Sequence, residues 1–309
     1  EGISIIYISH RMEEVYEIAD RITILRNGKR LLTKPLASIS AAQIVEGIVG
    51  KAVEVAGPAI AASGDGEIIL QTQALSTVGG LHEVDLTLRA GQVVGLAGLM
   101  GSGRSELARA LYGIDKITGG TVLVDGKPVS ITSPAQALEH GICLIPEDRR
   151  QQGLILDHSV TANLALPHLD DVLSGPFVDD KAVTSLVRRL IETFGIKVAD
   201  PSAPTKLLSG GNQQKIVIAK WISRQPRVLI MDEPTAGVDI GTKAEIIATV
   251  RSFAEKGMAV LVISSEYSEL LAMSDRLLLM RDFTIAREID RSAVSDEKSL
   301  ELEVQGVAA

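Results

Sequence analysis

Short, nearly uninterrupted apolar runs punctuate this chain at residues 93–97, 141–145, 228–231 and 258–263. Runs of that length are too short for helices and read as strands buried on both faces, as in parallel sheets. Two other stretches, residues 67–73 and 81–88, alternate apolar and polar side chains as half-buried strands do. A hairpin is expected from residues 121–124 and 127–131, turning at Asp125-Gly126. Between the strands the period becomes helical: one segment starts near Arg104, others cover residues 159–166, 181–194, 212–222 and 240–256, and a short one opens at Ser133-Pro134 in cap-then-proline order. Strands interleaved with helices read as an α/β chain.

The start of the chain repeats its end. Setting Gly2 against Gly257, a shift of 255, aligns IYISHRMEEVYEIADRITILRNG with LVISSEYSELLAMSDRLLLMRDF without a gap, matching Ile8/Ile263, Ser9/Ser264, Glu14/Glu269, Asp20/Asp275, Arg21/Arg276 and Arg26/Arg281. The chain therefore reads as one complete module and the tail of another. In the first copy, residues 3–9 are expected as a strand, 11–19 as an amphipathic helix and 21–32 as a hairpin turning at Asn27-Gly28, after which Ser40 caps a short helix ending at Gly50. Residues 51–66 are Gly- and Ala-rich and aperiodic, as a linker is. The expected organisation is a first-domain tail over 1–50, a linker over 51–66, a second domain over 67–292 and a C-terminal tail over 293–309, with the opening at Glu1 read as a fragment starting mid-domain.

Composition narrows the function classes. At 309 residues and 46% hydrophobic side chains the chain has material for a sizeable core. A net charge of −8 argues against a nucleic-acid surface, which needs clustered Lys and Arg. The single cysteine, Cys143, excludes an intramolecular disulfide framework and fits a reducing compartment. No apolar run approaches the roughly 20 residues of a membrane span, so membrane contact is expected only through a partner. His82, His140, His158 and His168 lack metal-ligand spacing and are expected at the surface or in loops.

Three short motifs carry candidate chemistry. After the run at 93–97, Gly98, Gly101, Gly103, Arg104 and Ser105 fit the phosphate-loop spacing G-x-x-x-x-G-K-[ST], with arginine at the lysine position. Its glycines let main-chain N–H groups wrap phosphates, the following helix adds its positive end, and Ser105 is placed to ligand Mg²⁺. Arginine keeps the charge but replaces a compact ammonium with a planar fork. The run at 228–231 delivers Asp232 and Glu233 at its carboxyl end, where open α/β sheets bind ligands and two carboxylates suit a metal and a water. Leu208-Ser209-Gly210-Gly211 precedes a helix, so Ser209 can cap while the glycines leave N–H groups bare for an anion.

The order LSGGNQQ, then LIMDEPTAGVD about twenty residues later, resembles the signature, Walker B and D-loop segments of ABC-transporter ATPases. LSGGNQQK, the Pro146-Glu147-Asp148-Arg149-Arg150 segment, TAGVDIGTK and the tandem arrangement narrow the resemblance to the fused ATPase subunit of bacterial monosaccharide importers. It covers nearly the whole chain. The implied fold is a P-loop NTPase of ABC-ATPase type: a mainly parallel sheet, an antiparallel β-subdomain and a helical subdomain. The implied reaction is ATP hydrolysis coupled to sugar import, with ATP and Mg²⁺ as cofactors. Residues 1–50 and 67–292 become the tail of a first ATPase domain and a complete second one.

The resemblance also assigns roles. Glu233 orients or deprotonates the attacking water and Asp232 holds Mg²⁺ with Ser105; Gly98, Gly101, Ser102, Gly103, Arg104, Ser105 and Glu106 bind ATP from one side and Ser209, Gly210, Gly211 and Gln213 from the other. Glu147 stands where the family has its Q-loop glutamine near the metal, and Asp239 is the D-loop aspartate. The family's switch histidine falls on His10 in the first copy and on Ser265 in the second, and no tyrosine stands near Val78 to stack on adenine. Such modules pair head to tail, so this signature would serve the site built on the first domain's phosphate loop and His10, while Arg104, Glu147 and Ser265 would slow this module's own site. The implied partners are transmembrane permease subunits, the first ATPase domain of the same chain and, indirectly, a periplasmic sugar-binding protein, with no nucleic acid; the place is the cytoplasmic face of the cell membrane, peripherally. A soluble twin ATPase acting on ribosomes or DNA is disfavoured by the acidic balance and by NQQ and DIGTK, and permease-dependent membrane association discriminates the two. A purely regulatory nucleotide-binding module is discriminated by ATPase activity at high protein concentration.

Overall fold

Helix α1 (Met12–Ile18) and strands β1 (Arg21–Arg26) and β2 (Lys29–Pro35) open the fold and close around a small core of Ile24, Leu36, Ile39 and Ile44. The structure is a computed structural model that describes residues 3–8, 12–26, 28–40, 43–44, 47 and 66–306. The predicted strand over 3–9 is not formed by residues 3–8, and Ile8 is 92% exposed. Its counterpart in the second copy is buried because a strand lies on either side of it; no described strand flanks residues 3–8. His10 and linker residues 51–65 lie outside the described residues.

From residue 66 the chain builds two sheets. Strands β3 (Ile68–Thr77), β4 (Val84–Arg89), β6 (Ile117–Val124) and β7 (Lys127–Val129) make an antiparallel sheet in the order β4-β3-β6-β7. Strands β5 (Val93–Gly98), β8 (Ile142–Ile145), β11 (Val228–Asp232), β12 (Ala259–Ile263), β13 (Arg276–Arg281) and β14 (Thr284–Asp290) make a second sheet in the order β14-β13-β5-β12-β11-β8. All its neighbours pair in parallel except β14, which turns back on β13. A two-residue pair, β9 (Leu173–Ser174) with β10 (Phe177–Val178), stands apart.

Helices α2 (Arg104–Leu111), α3 (Pro134–Glu139), α4 (Val160–Ala165), α5 (Asp180–Thr193), α6 (Gly210–Ile222), α7 (Ile240–Glu255), α8 (Tyr267–Met273) and α9 (Glu297–Gln305) complete the module. Local sequence sets their starts: Ser133, Ser159, Asp179, Ser209 and Asp239 each accept a backbone N–H of the first turn, as predicted for Ser133 and Ser209. Alternation along the buried strands divides the core in two. Leu229 and Met231 face the cluster that includes α5, α6 and α9, whereas Val228 and Ile230 face the cluster beneath the antiparallel sheet. The α/β fold, with a mainly parallel sheet, an antiparallel subdomain and a helical insertion, is the one expected.

The internal repeat is structural as well. Shifted by 255, the bounds of α1, β1 and β2 land on those of α8, β13 and β14. Helix α9, within the segment read only as a tail, buries Leu300 and Val304 in the first cluster behind a capping box between Asp296 and Ser299.

Candidate functional site

Parallel pairing sets Gly98, Glu147, Glu233 and Ser265 at or just past the carboxyl ends of neighbouring strands: Leu96 is opposite Ile263, Ile263 opposite Asp232, and Met231 opposite Ile145. After β5 the chain makes a tight loop and enters α2. Gly101 and Gly103 take φ of 79° and 104°, a region other residues enter only at a cost. At Gly98 a Cβ would stand 2.5 Å from Ser102 Oγ. Gly103 is the N-cap of α2 without a side-chain cap, which leaves the first N–H groups of the helix bare. The Ser102 hydroxyl is buried with no partner.

Asp232 sits beside this loop, bonded to the Ser105 side chain. Burial raises its pKa above the usual carboxylate range; the Ser105 bond works against that shift and the nearby Glu147 charge adds to it. Its Oδ1 is buried without a partner. Among the described residues no cluster of three or more His, Cys, Asp or Glu side chains could hold a metal. Mg²⁺ needs none, since it keeps several waters and takes one or two protein oxygens plus phosphate oxygens. The orphaned Asp232 oxygen and the Ser105 hydroxyl fit that requirement; Glu147 is exposed nearby.

Glu233 has a left-handed backbone, φ 46°, held by its N–H donating to Ile263 O at 2.9 Å. Burial also raises its pKa, against hydrogen bonds from the Ser265 backbone and hydroxyl and the charge of Arg104. Ser265 Oγ donates to Glu233 Oε2 at 3.2 Å. The residue at the switch-histidine position therefore touches the carboxylate itself. Arg104 turns toward the same place: Nη1 donates to Ser264 O at 3.1 Å and lies 3.9 Å from Glu233 Oε1. Glu106 faces away from Arg104 and pairs with Arg109 at 3.1 Å.

Behind these residues stands a group the sequence reading did not assign to the site. Glu269 is almost fully buried; its Oε2 accepts from Thr235 at 2.5 Å and from Ser264 at 2.9 Å. Lys243 Nζ lies 2.8 Å from the other oxygen and makes an ion pair with it. Glu269 thus fixes the turn after Glu233 and the residue whose carbonyl holds Arg104. The signal was in the repeat, which matches both Glu14/Glu269 and Ser9/Ser264.

The second motif lies at the start of α6. Ser209 Oγ accepts from the Asn212 backbone at 3.4 Å and from its amide side chain at 2.9 Å. A Cβ on Gly210 would come within 2.8 Å of Gly237 O, and one on Gly211 within 2.6 Å of Thr242 Oγ1. Gln213, expected at ATP, instead points inward, donating to Thr205 O at 3.3 Å and Leu208 O at 3.1 Å. Its amide bridges the two carbonyls, one of which, Thr205 O, also accepts the Leu208 N–H at 3.1 Å. Asp239 caps α7 through Thr242, and although burial alone would raise its pKa, those bonds bring it below the usual range. No hydrogen bond or ion pair among the described residues joins Ser209–Gly211 to Gly98–Ser105. His168 is not at the surface: it is buried, bonded to Asp171 at 3.0 Å and Ser223 at 2.6 Å, because it pins the turn after α4 to the end of α6.

The model of the ABC transporter family matches residues 81–236, about half of the chain, from the loop before β4 to just past Glu233. The chain belongs to the ABC transporter family. Within it, the chain is 41% identical over 297 residues to the ribose import ATP-binding protein RbsA of Geobacillus kaustophilus, covering 96% of this chain and 60% of that protein. It is 40% identical over 305 residues to the protein of the same name in Bacillus subtilis, covering 99% and 62%. It is 39% identical over 305 residues to a putative ribose/galactose/methyl galactoside import ATP-binding protein 1 of Rhizobium etli, covering 99% and 58%. The chain thus spans about 60% of the length of these curated relatives. Among solved structures, a nucleotide-free ATP-binding cassette from an ABC transporter superposes with TM-score 0.62 at 22% identity over 77% of this chain and 95% of that one. The ADP conformation of another such cassette gives 0.61 at 23% over 77% and 98%. These likenesses show the fold, the P-loop NTPase type found in ATP-binding cassettes.

Proposed function

We propose that this chain is the ATP-binding and ATP-hydrolysing part of a subunit that powers import of a simple sugar, with ribose the first to test because similar proteins carry that name. The observation that carries this reading is the placing of a glycine loop, Ser105, Asp232 and Glu233 side by side at the carboxyl ends of β5 and β11. In it, Gly98, Gly101, Ser102, Gly103, Arg104 and Ser105 cradle the phosphates of ATP, and Ser105 and Asp232 hold Mg²⁺, with exposed Glu147 near. Mg²⁺ supplies charge neutralisation on the phosphate oxygens. Glu233 orients a water by accepting its proton, which its raised pKa favours.

We read the module as asymmetric. Arg104 and Ser265 both engage Glu233, so this site hydrolyses slowly; Ser209, Gly210 and Gly211, with Asp239, complete a partner site that uses the phosphate loop and His10 of a first ATPase domain. Residues 1–50 are taken as the tail of that domain, 51–66 as a linker and 67–292 as the second domain. The permease-facing surface is placed on residues 147–207, where Leu166, Leu169, Leu173, Phe177, Val178 and Leu207 are all at least 44% exposed. Among the described residues no helix is long and apolar enough to cross a membrane. Peripheral attachment at the cytoplasmic face through a permease, itself served by a periplasmic sugar-binding protein, accounts for transport. Calorimetry with Mg·ATP tests the core of the reading: the chain binds it, and a chain that does not overturns the proposal. Cysteines placed on residues 147–207 crosslink to the permease, and crosslinks confined to residues 51–66 would contradict that surface.

A further inference from the structure

Arg149 lies two residues past Glu147, in a single wide turn, Arg149–Gly153, whose start is capped by Asp148. Its Nη1 donates to Ala236 O at 2.6 Å and its Nη2 to Gly237 O at 3.2 Å, across 87 and 88 residues of chain. The guanidinium also covers Gly210, where a Cβ would stand 2.6 Å from Nη2. One side chain therefore touches the turn after β8, the start of α6 and the loop that leads to Asp239. The arrangement is not one that favours stability alone. Nη1 and Nη2 are bonded but Nε is buried without a partner, which carries a desolvation penalty. Burial, with Arg150 close by, pulls the Arg149 pKa below the ordinary arginine value.

We propose that Arg149 is a positioning residue that makes the turn after Glu147, the Ser209–Gly211 turn and the Ala236–Asp239 loop shift as one body. A displacement of residues 147–207 by a docked permease then reaches Asp239 and Gly210, the groups offered to the partner site. That consequence rests on the function proposed above; the mechanical link does not. The planar fork is what serves two consecutive carbonyls, and a lysine ammonium offers no matching pair of donors.

Hydrogen exchange on the whole chain tests the link in the wild type, Arg149→Lys, Arg149→Ala and Gly210→Ala. In Arg149→Ala, amides of residues 209–212 and 235–239 exchange faster by about tenfold, the loss of charge-assisted bonds to the loop. Gly210→Ala, whose Cβ meets both the guanidinium and Gly237 O, gives the same local pattern and adds nothing further in Arg149→Ala, and Arg149→Lys does not restore protection. Mg·ATP affinity measured by calorimetry changes less than about twofold in Arg149→Ala, because Arg149 is bonded to none of residues 98–105. Unchanged exchange in the two loops, faster exchange throughout the central sheet, or full rescue by lysine each overturns the proposal. If the wild type fails to bind Mg·ATP, the functional reading falls while the exchange result still decides whether the link exists.

Discussion

At the carboxyl ends of β5 and β11, Ser102 Oγ and Asp232 Oδ1 are buried without partners, whereas at the start of α6 the hydroxyl of Ser209, the amide of Asn212 and the fork of Arg149 are already bonded. A buried polar atom left alone is unfavourable by about 1–3 kcal/mol, so the first region gains when something polar arrives. The second also holds lone buried atoms, Arg149 Nε and Gln213 Oε1, but they belong to side chains already bonded to carbonyls of the chain through their other nitrogens. It is braced, by glycines packed against Arg149, Gly237 and Thr242. One end of the module is thus poised to receive a polar ligand, and the other is braced within the chain; on the reading proposed above, the braced end is the one offered to a partner site.

The harshest way to break this contrast is Ser209→Arg in a protein that carries the first ATPase domain proposed above. A bulky cation at that helix end blocks the braced surface, and turnover falls by about 10²–10³, the scale of losing preorganised donors at a reacting phosphate. Steady-state ATPase assays with permease present check it, and Mg·ATP affinity at this module's own loop stays unchanged.

Next in size is Asp232→Asn, read by calorimetry at the ligand-seeking end. Mg·ATP affinity drops about 10–100-fold, as for other losses at a metal site. Without ligand the variant is more thermostable at neutral pH than the wild type. The sign follows from the raised pKa: burial penalises the carboxylate form, so Asp232 lowers stability above its folded pKa, and that penalty is relieved as pH falls from neutral into the carboxylate range. Asp239 behaves oppositely, because its depressed pKa adds stability that is lost as pH falls through that lower value. Melting curves from pH 7 downward separate the two: Asp232→Asn removes its share of the first trend, to which Glu233 adds with the same sign, and leaves the Asp239 trend in place. Arg104→Ala follows with about tenfold weaker Mg·ATP binding, the loss of one charged donor.

What could be read in advance divides along the same contrast. The buried strands and the phosphate loop were legible because uninterrupted apolar runs and fixed glycine spacings are local signals that need no neighbour. Bracing is not local. Gln213 and Arg149 turn toward carbonyls that the fold brings beside them, and His168 is buried only because α6 ends at Ser223. Helix α9 was missed because its buried apolar positions are just Leu300 and Val304, amid acids. Phe283 shows the same limit. It takes φ 62° where the first copy has Gly28 at 73°, and its ring packs against Gly80 and Gly103 behind the phosphate loop. Sequence alignment shows the replacement but not the contact that sustains it.

The smallest expected effect sharpens the comparison most. Glu233 is the residue on which ordinary hydrolysis at this site would depend, yet Ser265 donates to one of its oxygens at 3.2 Å and Arg104 Nη1 stands 3.9 Å from the other. A carboxylate engaged on both sides is less free to take a proton from water, and among the described residues no histidine is bonded to it. Glu233→Gln keeps the shape and an acceptor for Ser265 while removing the charge. If the asymmetry proposed above holds, turnover in the paired protein with permease falls by less than about threefold, under 0.7 kcal/mol of barrier, since on that reading the working site is the one that Ser209 completes. The same variant tests the chemistry of the carboxyl itself: its pKa is raised chiefly by burial, so the glutamine form is the more stable one at neutral pH and the difference shrinks as pH falls toward the carboxylate range. Measured side by side, Glu233→Gln as damaging to turnover as Ser209→Arg would mean that both ends of the module work equally, and the asymmetry would be lost.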